Sequence, residues 1–363
     1  MKKIVGILAA AAVATSVFAA DVSAATKIKG TLFSYDADKT ITLFSEVNDS
    51  HDYANPNITF SISDDKAGAT IKLTTDGNKG DSITDIYSEI VAQTTQTIWF
   101  KPVDALKITV GNFDVALNKE QIDWTESVTG LGGNGFLVSV NVEGFGLDLG
   151  LSQADNGNWF EKADAAEDPT IKAFFVKAGY SADFGNIGAY VEFNRAGAER
   201  KVYAWHDDLF QGWLLKKGAI KDLHFGAGYG NNFNGINMFV NVAGFMADKF
   251  EWIRPELYAA GSVEDFGYAA FVAPVIFVDS DLDADPMCEL TVKLTYKIDS
   301  ITPYVYFNDK DLLADNFVST IKIGATGSVG AMGYNVWAQI DTGKGDANDK
   351  VAFSVPFELT VSF

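Results

Sequence analysis

Large apolar side chains alternate with polar or small residues without a break over the last fourteen residues of the chain, 350–363. This period of two places one wholly apolar face on an extended strand. Strands of soluble proteins usually run about 5–6 residues, whereas a strand that crosses a bilayer needs about 9–11. The segment therefore predicts a long membrane strand, and the alternative is a long final strand of a soluble sandwich. The apolar positions are Val351, Phe353, Val355, Phe357, Leu359, Val361 and Phe363.

The same alternation recurs along most of the chain and predicts an all-β protein. No convincing helical period, internal repeat or domain linker interrupts it, so we expect one barrel domain over 21–363. The clearest alternating segments are 58–63, 69–74, 106–111, 136–142, 145–152, 187–194, 290–298 and 332–340.

The predicted connections between strands have two lengths, and the two lengths largely alternate. Short turns are expected near 64–67, 102–105, 143–145, 183–186, 298–302 and 329–332. Long polar loops are expected near 76–94, 113–134, 153–169, 195–217, 279–287, 308–316 and 341–349. Short turns at one end and long loops at the other are typical of a transmembrane antiparallel up-and-down β-barrel, and a soluble sandwich does not sort its loops so regularly.

The pattern contains 19 strand-like segments, which conflicts with the even strand number of single-chain bacterial barrels. We therefore expect one segment to be misassigned. The weakest assignments are 27–35, 39–47 and the break near 247–250. The prediction is a barrel of about 18 strands, with 16 as the alternative.

The beginning of the chain has the pattern of a secretory signal peptide, residues 1–20. Lys2 and Lys3 precede an uncharged, Ala-rich apolar run over 4–18, and small residues follow at Ala19 and Ala20. Cleavage is expected after Ala20, with Ala25 as the alternative. No later stretch approaches the roughly 18 consecutive apolar residues of a membrane helix.

Composition narrows the class of partner. Removal of Lys2 and Lys3 with the signal peptide lowers the formal charge from −20 to −22. This negative charge disfavours nucleic acid and anionic membrane surfaces as partners. The single cysteine, Cys288, excludes an intramolecular disulfide framework. A glycine count of 33 and an aromatic content of 13% are compatible with a barrel that carries aromatic girdles.

The end of the chain carries a resemblance to a known group of proteins. Phe357, Leu359 and Val361 precede a terminal Phe363, and this pattern resembles the C-terminal assembly signal of bacterial outer-membrane β-barrels. In size the chain is similar to general or substrate-specific porins. The resemblance implies the cell outer membrane of a diderm bacterium as location, and outer-membrane lipid, the barrel assembly machinery and small hydrophilic solutes as partners. It leaves a homotrimeric assembly open.

If the apolar positions face lipid, their polar neighbours line the lumen. A charged lumen is expected where about 16–18 strands enclose an aqueous channel. The alternative for each residue is an ordinary wall position kept soluble by the pore water. The predicted lining residues are Lys72, Lys107, Asp148, Glu192, Lys293, Lys297, Lys322 and Glu358.

The long loop over 113–134 is the third long loop when 48–56 is counted as the first. In the porins that the chain resembles, the third loop folds into the lumen and narrows it. The acidic residues Glu120, Asp123 and Glu126 would then lie at the constriction. Gly130, Gly132, Gly133 and Gly135 permit the turns that such a loop needs. An ordinary surface loop is the alternative.

The sequence contains no pattern that predicts catalysis, a cofactor or a metal site. The acidic loop 279–287 has Ala284 where a calcium loop needs glycine. His51, His206 and His224 have no metal-ligating spacing, and hydrolase and nucleotide-binding motifs do not occur. We therefore expect no enzyme.

The leading hypothesis is a porin that forms a passive aqueous channel for small hydrophilic solutes. The alternative is a surface-exposed barrel that acts as an adhesin or partner-binding antigen through its long loops. A secreted soluble β-protein is the third hypothesis. Because lysines outnumber acids in the predicted lumen, we expect weak ion selectivity that leans toward anions at high salt.

Overall fold

The structure is a computed structural model, and it contains strands throughout the part of the chain that it describes. The described residues are 21–35, 40–46, 57–74, 93–118, 122, 130–153, 160–161, 170–171, 173–193, 223–246, 249–279, 285–313, 319–342 and 351–362. The predicted signal peptide lies outside them. No helix in these ranges is long and apolar enough to cross a membrane.

The strands are numbered in chain order. The first eleven are β1 (Asp21–Tyr35), β2 (Ile41–Glu46), β3 (Asn57–Ser63), β4 (Ala67–Thr74), β5 (Gln93–Val103), β6 (Leu106–Ala116), β7 (Gly130–Val142), β8 (Phe145–Gln153), β9 (Phe160–Glu161), β10 (Thr170–Ile171) and β11 (Ala173–Ala182). The remaining ten are β12 (Gly185–Phe193), β13 (Leu223–Phe233), β14 (Ile236–Met246), β15 (Phe250–Val263), β16 (Phe266–Phe277), β17 (Met287–Tyr296), β18 (Ile301–Asp309), β19 (Ser319–Val329), β20 (Met332–Thr342) and β21 (Val351–Ser362). The short strands β9 and β10 pair only with each other.

The other 19 strands form one antiparallel sheet whose pairings return to their starting point. Consecutive strands pair from β3 to β8 and from β11 to β21, β8 pairs with β11, and β21 pairs with β1. The opposite edge of β1 pairs with two strands, which closes the ladder. The predicted up-and-down barrel is therefore confirmed.

The odd strand count is explained by the way in which β2 and β3 share one edge of β1. Gly30 pairs with Glu46 of β2, and Ala25 pairs with Asn57 of β3. Both strands run antiparallel to β1, so they lie end to end in a single position of the barrel. Nineteen segments thus occupy eighteen positions among the described residues. The expectation that one of the 19 segments is misassigned was wrong, because 27–35 and 39–47 do contain strands and β14 and β15 are separate.

Side chains alternate between a packed inner face and an exposed apolar outer face. In β15, Trp252, Arg254 and Glu256 are buried on the inner face, whereas Leu257 on the outer face is 47% exposed. This is the alternation that a barrel requires, because successive residues of a strand point to opposite sides of the sheet. Further exposed apolar side chains on the outer face include Ile98, Phe100, Val110, Leu149, Ile187, Val240, Ile276, Leu294, Val305, Ile323 and Val336.

Short turns lie at one end of the barrel. Two-residue turns join β7 to β8 at 143–144 and β13 to β14 at 234–235. Glu143 and Asn234 have φ angles of 47° and 51° and each precedes a glycine with positive φ, as in hairpin turns whose twist matches that of the strands. In the turn 64–66, hydrogen bonds from the backbone N–H groups of Lys66 and Ala67 lower the pKa of Asp64. Between strands of the sheet, the connections other than the short turns are longer, apart from 36–40 and 247–249.

Candidate functional site

The strands β6 and β7 leave the barrel wall together and enter the lumen. Pairing between β5 and β6 ends at Thr97 and Gly111, and pairing between β7 and β8 ends at Asn134 and Gln153. Beyond these points, 113–116 and 130–133 pair with each other and, among the described residues, with no other strand. We call these two segments the inner hairpin. Among the described residues, no neighbouring strand pairs with the outer edges of the inner hairpin beyond Asn112, so the hairpin can turn away from the wall.

Gly111 lies where β6 leaves the wall. Its φ angle is +107°, a conformation that side chains other than glycine rarely adopt. A Cβ atom built on Gly111 would lie 1.9 Å from the backbone oxygen of Gln96. Glycine is therefore required both for the backbone conformation and for the close approach of β5.

One face of the inner hairpin packs against the inner surface of β11 and β12. Phe113 and Leu131 are buried in a cluster with Phe175 of β11 and Tyr190 of β12, and Val115 joins them. The ring centroids of Phe113 and Phe175 are 6.0 Å apart. Buried aromatic and aliphatic contacts of this kind hold the hairpin inside the barrel.

The chain continues from β6 across the lumen to the opposite wall. Asn118 Nδ2 donates a hydrogen bond to Oδ1 of Asn241 in β14 over 2.8 Å. Ile122 is only 4% exposed and packs against aromatic side chains of β14–β20. Those side chains are Phe239, Tyr258, Phe271, Tyr304, Tyr306 and Trp337. The predicted acidic residues of this segment, Glu120, Asp123 and Glu126, lie outside the described residues.

A network of buried charges lies on the inner face next to this contact. Arg254 is 0% exposed, and its Nη2 lies 3.1 Å from Oε2 of Glu289. Glu256 approaches the Nε atom of Arg254 at 3.6 Å, and Lys310 Nζ lies 3.6 Å from Glu289 Oε1. Asn241 Nδ2 donates to Glu256 Oε2 over 3.3 Å. The charges are compensated within the network, as burial away from water requires.

Glu192 is on the inner face, but it is part of a packed group. The side chain is 2% exposed, and Oε2 lies 3.2 Å from Nδ1 of His224. Nε2 of His224 lies 2.9 Å from the hydroxyl of Tyr190. The aromatic ring of Trp252 also contacts His224, at a centroid distance of 6.1 Å.

Three of the predicted lysines lie beside aromatic rings. Lys322 is buried, and its Nζ atom lies 5.1 Å from the ring centroid of Tyr306 and 5.7 Å from that of Trp337. Lys293 Nζ lies 5.5 Å from Tyr304. Lys107 Nζ lies 4.8 Å from Trp99. Attraction between an ammonium group and the face of a ring stabilises each contact.

The remaining predicted lining residues differ in their surroundings. Asp148 pairs with Lys177 at 3.6 Å. Lys72 of β4 is exposed, and Glu358 of β21 is half-buried between β1 and β20. Lys297 follows the end of β17 and is exposed in the short turn, so strand alternation does not place its side chain.

The sequence pattern did not identify Arg254, Glu256 and Glu289 as buried charges. The alternation was nevertheless present, because Trp252, Arg254, Glu256 and Tyr258 occupy every second position of β15. Pro255 stands between the two charges and weakens the strand pattern, since proline is disfavoured inside a sheet. Within the described ranges, no group of three or more histidine, cysteine, aspartate or glutamate side chains could hold a metal ion.

In the predicted assembly signal, Phe357 covers a glycine of the neighbouring strand. Phe357 pairs with Gly30, and a Cβ atom on Gly30 would lie 2.4 Å from the Phe357 ring. Leu359 and Val361 continue the same face of β21, opposite Ile28 and Thr26. Phe363 lies outside the described residues.

The fold is similar to that of solved structures from Pseudomonas aeruginosa. OpdL is 9% identical with a TM-score of 0.53, and the similarity covers 95% of this chain and 98% of that chain. OpdL and this chain share one fold. OpdQ is 8% identical with a TM-score of 0.51, and the similarity covers 94% of this chain and 98% of that chain. OccK11 (OpdR) is 8% identical with a TM-score of 0.52, and the similarity covers 95% of each chain. No protein-family model matches the chain, and no curated protein matches it.

Proposed function

We propose that this chain is an outer-membrane porin, a passive aqueous channel for small hydrophilic solutes that is narrowed by the inner hairpin. The outer face exposes large apolar side chains on strand after strand, from Ile98 to Val351. Such a surface is unfavourable in water, and lipid would cover it. Closed up-and-down barrels with a polar interior are the form in which strands cross bacterial outer membranes.

The observation that carries the proposal is the burial of Ile122 against the far wall. Ile122 follows the end of β6 by only six residues and belongs to the buried cluster on β14–β20, which supports a segment that crosses the space inside the barrel. A barrel of this strand number without such a segment would enclose a wide channel. The segment would restrict passage to small solutes, and Glu120, Asp123 and Glu126 would lie at the narrowing.

The proposed lining contains the accessible wall residues Lys72, Lys107, Lys293 and Glu358. Glu192, Lys322 and Asp148 act within packed or paired groups on the same face. Lys297 would lie at the mouth with the short turns. The proposed partners are outer-membrane lipid and the assembly machinery that reads β21, and a homotrimeric state stays a prediction.

Planar-bilayer recording tests the proposal. The refolded protein should form stable conducting channels, and proteoliposomes that contain it should swell in small uncharged solutes. Deletion of 119–129 should raise the single-channel conductance. A deletion of equal length in the β12–β13 connection, 201–211, should leave the conductance within the spread of the wild type. Folded protein without conductance, or equal conductance of the two deletion variants, would overturn the proposal.

A further inference from the structure

A cavity of about 310 Å³ lies inside the barrel between the end of β6 and the walls formed by β7, β8, β11 and β12. Its volume is within the range of small-molecule sites, about 300–1,000 Å³. The cavity reaches toward the short-turn end, since its lining includes residues next to the turns at 143–144 and 183–184. Its polar side chains are Asn118, Asn141, Asp148, Lys177, Ser181 and Asn186.

The wall leaves room for a ligand because its inner positions are occupied by glycine. Gly146, Gly179 and Gly188 line the cavity. A Cβ atom on Gly188 would lie 3.0 Å from Leu117 Cδ2, and one on Gly146 would lie 3.2 Å from Asn141 Oδ1. Larger residues would therefore fill the space that the amides and the charged pair surround.

The charges that face the cavity cancel each other. Asp148 Oδ2 and Lys177 Nζ are 3.6 Å apart, occupy directly paired positions of β8 and β11, and are each 21% exposed. The other polar residues of the lining carry neutral amides and hydroxyls, and Leu117 and Ile187 add apolar surface. The site thus offers donors and acceptors in similar number without a net charge.

We infer that this cavity binds a neutral polyhydroxylated solute, such as a linear sugar alcohol or a small sugar. Each hydroxyl group donates and accepts a hydrogen bond, which matches a lining that contains amides, a carboxylate and an ammonium group. Two adjacent hydroxyls can bridge Asp148 and Lys177 without separating them. A charged solute would have to compete with the ion pair and would leave one partner uncompensated in a partly buried site.

The inference rests on the proposed channel function, because the cavity then lies on the path behind the narrowing. Binding is nevertheless measured separately from transport. Binding is measured by saturation-transfer NMR of the refolded protein in detergent micelles. The probes are neutral sorbitol, anionic gluconate and cationic glucamine, three six-carbon chains that differ in charge at one end. Sorbitol should bind about five-fold more tightly than either charged analogue, and equal affinity of the three would overturn the inference.

Isosteric variants locate the site. Asn141→Leu and Asn186→Leu should each weaken sorbitol binding about five-fold, which corresponds to the loss of about one net hydrogen bond. Thr295→Val is the control, because Thr295 lies on the inner side of β17 outside the cavity. Unchanged binding in both Asn variants would contradict the site even if sorbitol binds. Conductance without sorbitol binding would reject the binding site and keep the channel function. Sorbitol binding without conductance would reject the channel function and keep the binding site.

Discussion

Asn118 and Asn241 join the end of β6 to the opposite wall of the barrel through a hydrogen bond of 2.8 Å. Asn241 is fully buried, and its own Nδ2 donates to Glu256 in the buried charge network. The end of β6 is thereby attached to a fully buried part of the inner face. Ile122 adds an apolar contact with the same wall.

Replacing Asn118 with leucine should loosen this attachment. Loss of one hydrogen bond corresponds to about 1 kcal/mol and leaves Asn241 without this donor in a buried position. We expect a larger mean conductance and stronger current fluctuations in planar bilayers. Asn237→Leu is the control and should behave like the wild type. Asn237 lies on β14, the strand that carries Asn241, near the 234–235 turn. A quiet channel of unchanged conductance for Asn118→Leu would show that the contact does not restrain the segment.

Gly111→Ala should impair folding more than Gly235→Ala. Both glycines have positive φ angles, +107° and +88°, so alanine introduces strain of about 1–3 kcal/mol at either position. Only at Gly111 does the added Cβ atom also meet backbone, whereas nothing lies within 4 Å at Gly235. The folded fraction, read from heat-modifiable migration after refolding in detergent, should fall strongly for Gly111→Ala alone. Equal folded fractions would contradict the close approach at Gly111.

Arg254→Met should destabilise the barrel by about 3–5 kcal/mol, since it leaves the buried carboxylates of Glu256 and Glu289 without their main partner. Urea unfolding in detergent measures the effect. Lys249→Gln removes an exposed lysine that pairs with the partly buried Asp279, and it should change the free energy of unfolding by less than about 1 kcal/mol. Similar shifts in the two variants would argue that Arg254 does not neutralise the network.

The channel should show weak selectivity for anions at high salt. At about 1 M salt the Debye length is about 3 Å, so acids on the outer loops are screened and the accessible lysines of the wall decide the preference. Reversal potentials in a KCl gradient should shift toward cations in the Lys72→Gln, Lys107→Gln double variant and at lower mean salt. Lys249→Gln serves as the control, because Lys249 lies in the connection between β14 and β15 and not on a strand of the wall. Strong cation selectivity at high salt would mean that the assumed lining is wrong.

The terminal strand should be needed for assembly. Deletion of Phe363, or Phe357→Asp, should reduce the folded fraction in outer membranes, because Phe357 lies on the apolar outer face of β21 and Phe363 ends the alternating apolar series of the sequence. Phe357→Asp also removes the ring that covers Gly30. Ser354→Asp places the same charge on the opposite face of the strand and should be tolerated better. Normal heat-modifiable folding of the Phe363 deletion would contradict an assembly signal at the terminus.

Local pattern alone determined the type of element and the sorting of connections. Alternation in segments such as 145–152 and 332–340 depends only on the period of two of an extended chain, so it identifies strands without knowledge of their partners. The turns at 143–145 and 183–186 followed from the residues that interrupt this period. The barrel class came from the same information, because long strands with one apolar face need lipid or a second layer.

Only the tertiary structure decided how the segments share space. That β2 and β3 occupy one position depends on their register with β1 across the closing seam, and no local signal records this register. The entry of the inner hairpin depends on Gly111 and on distant partners such as Phe175 and Asn241. Contacts between residues more than a hundred positions apart arise from closure of the barrel, whereas hydrophobic periodicity reports only the two faces of a single strand.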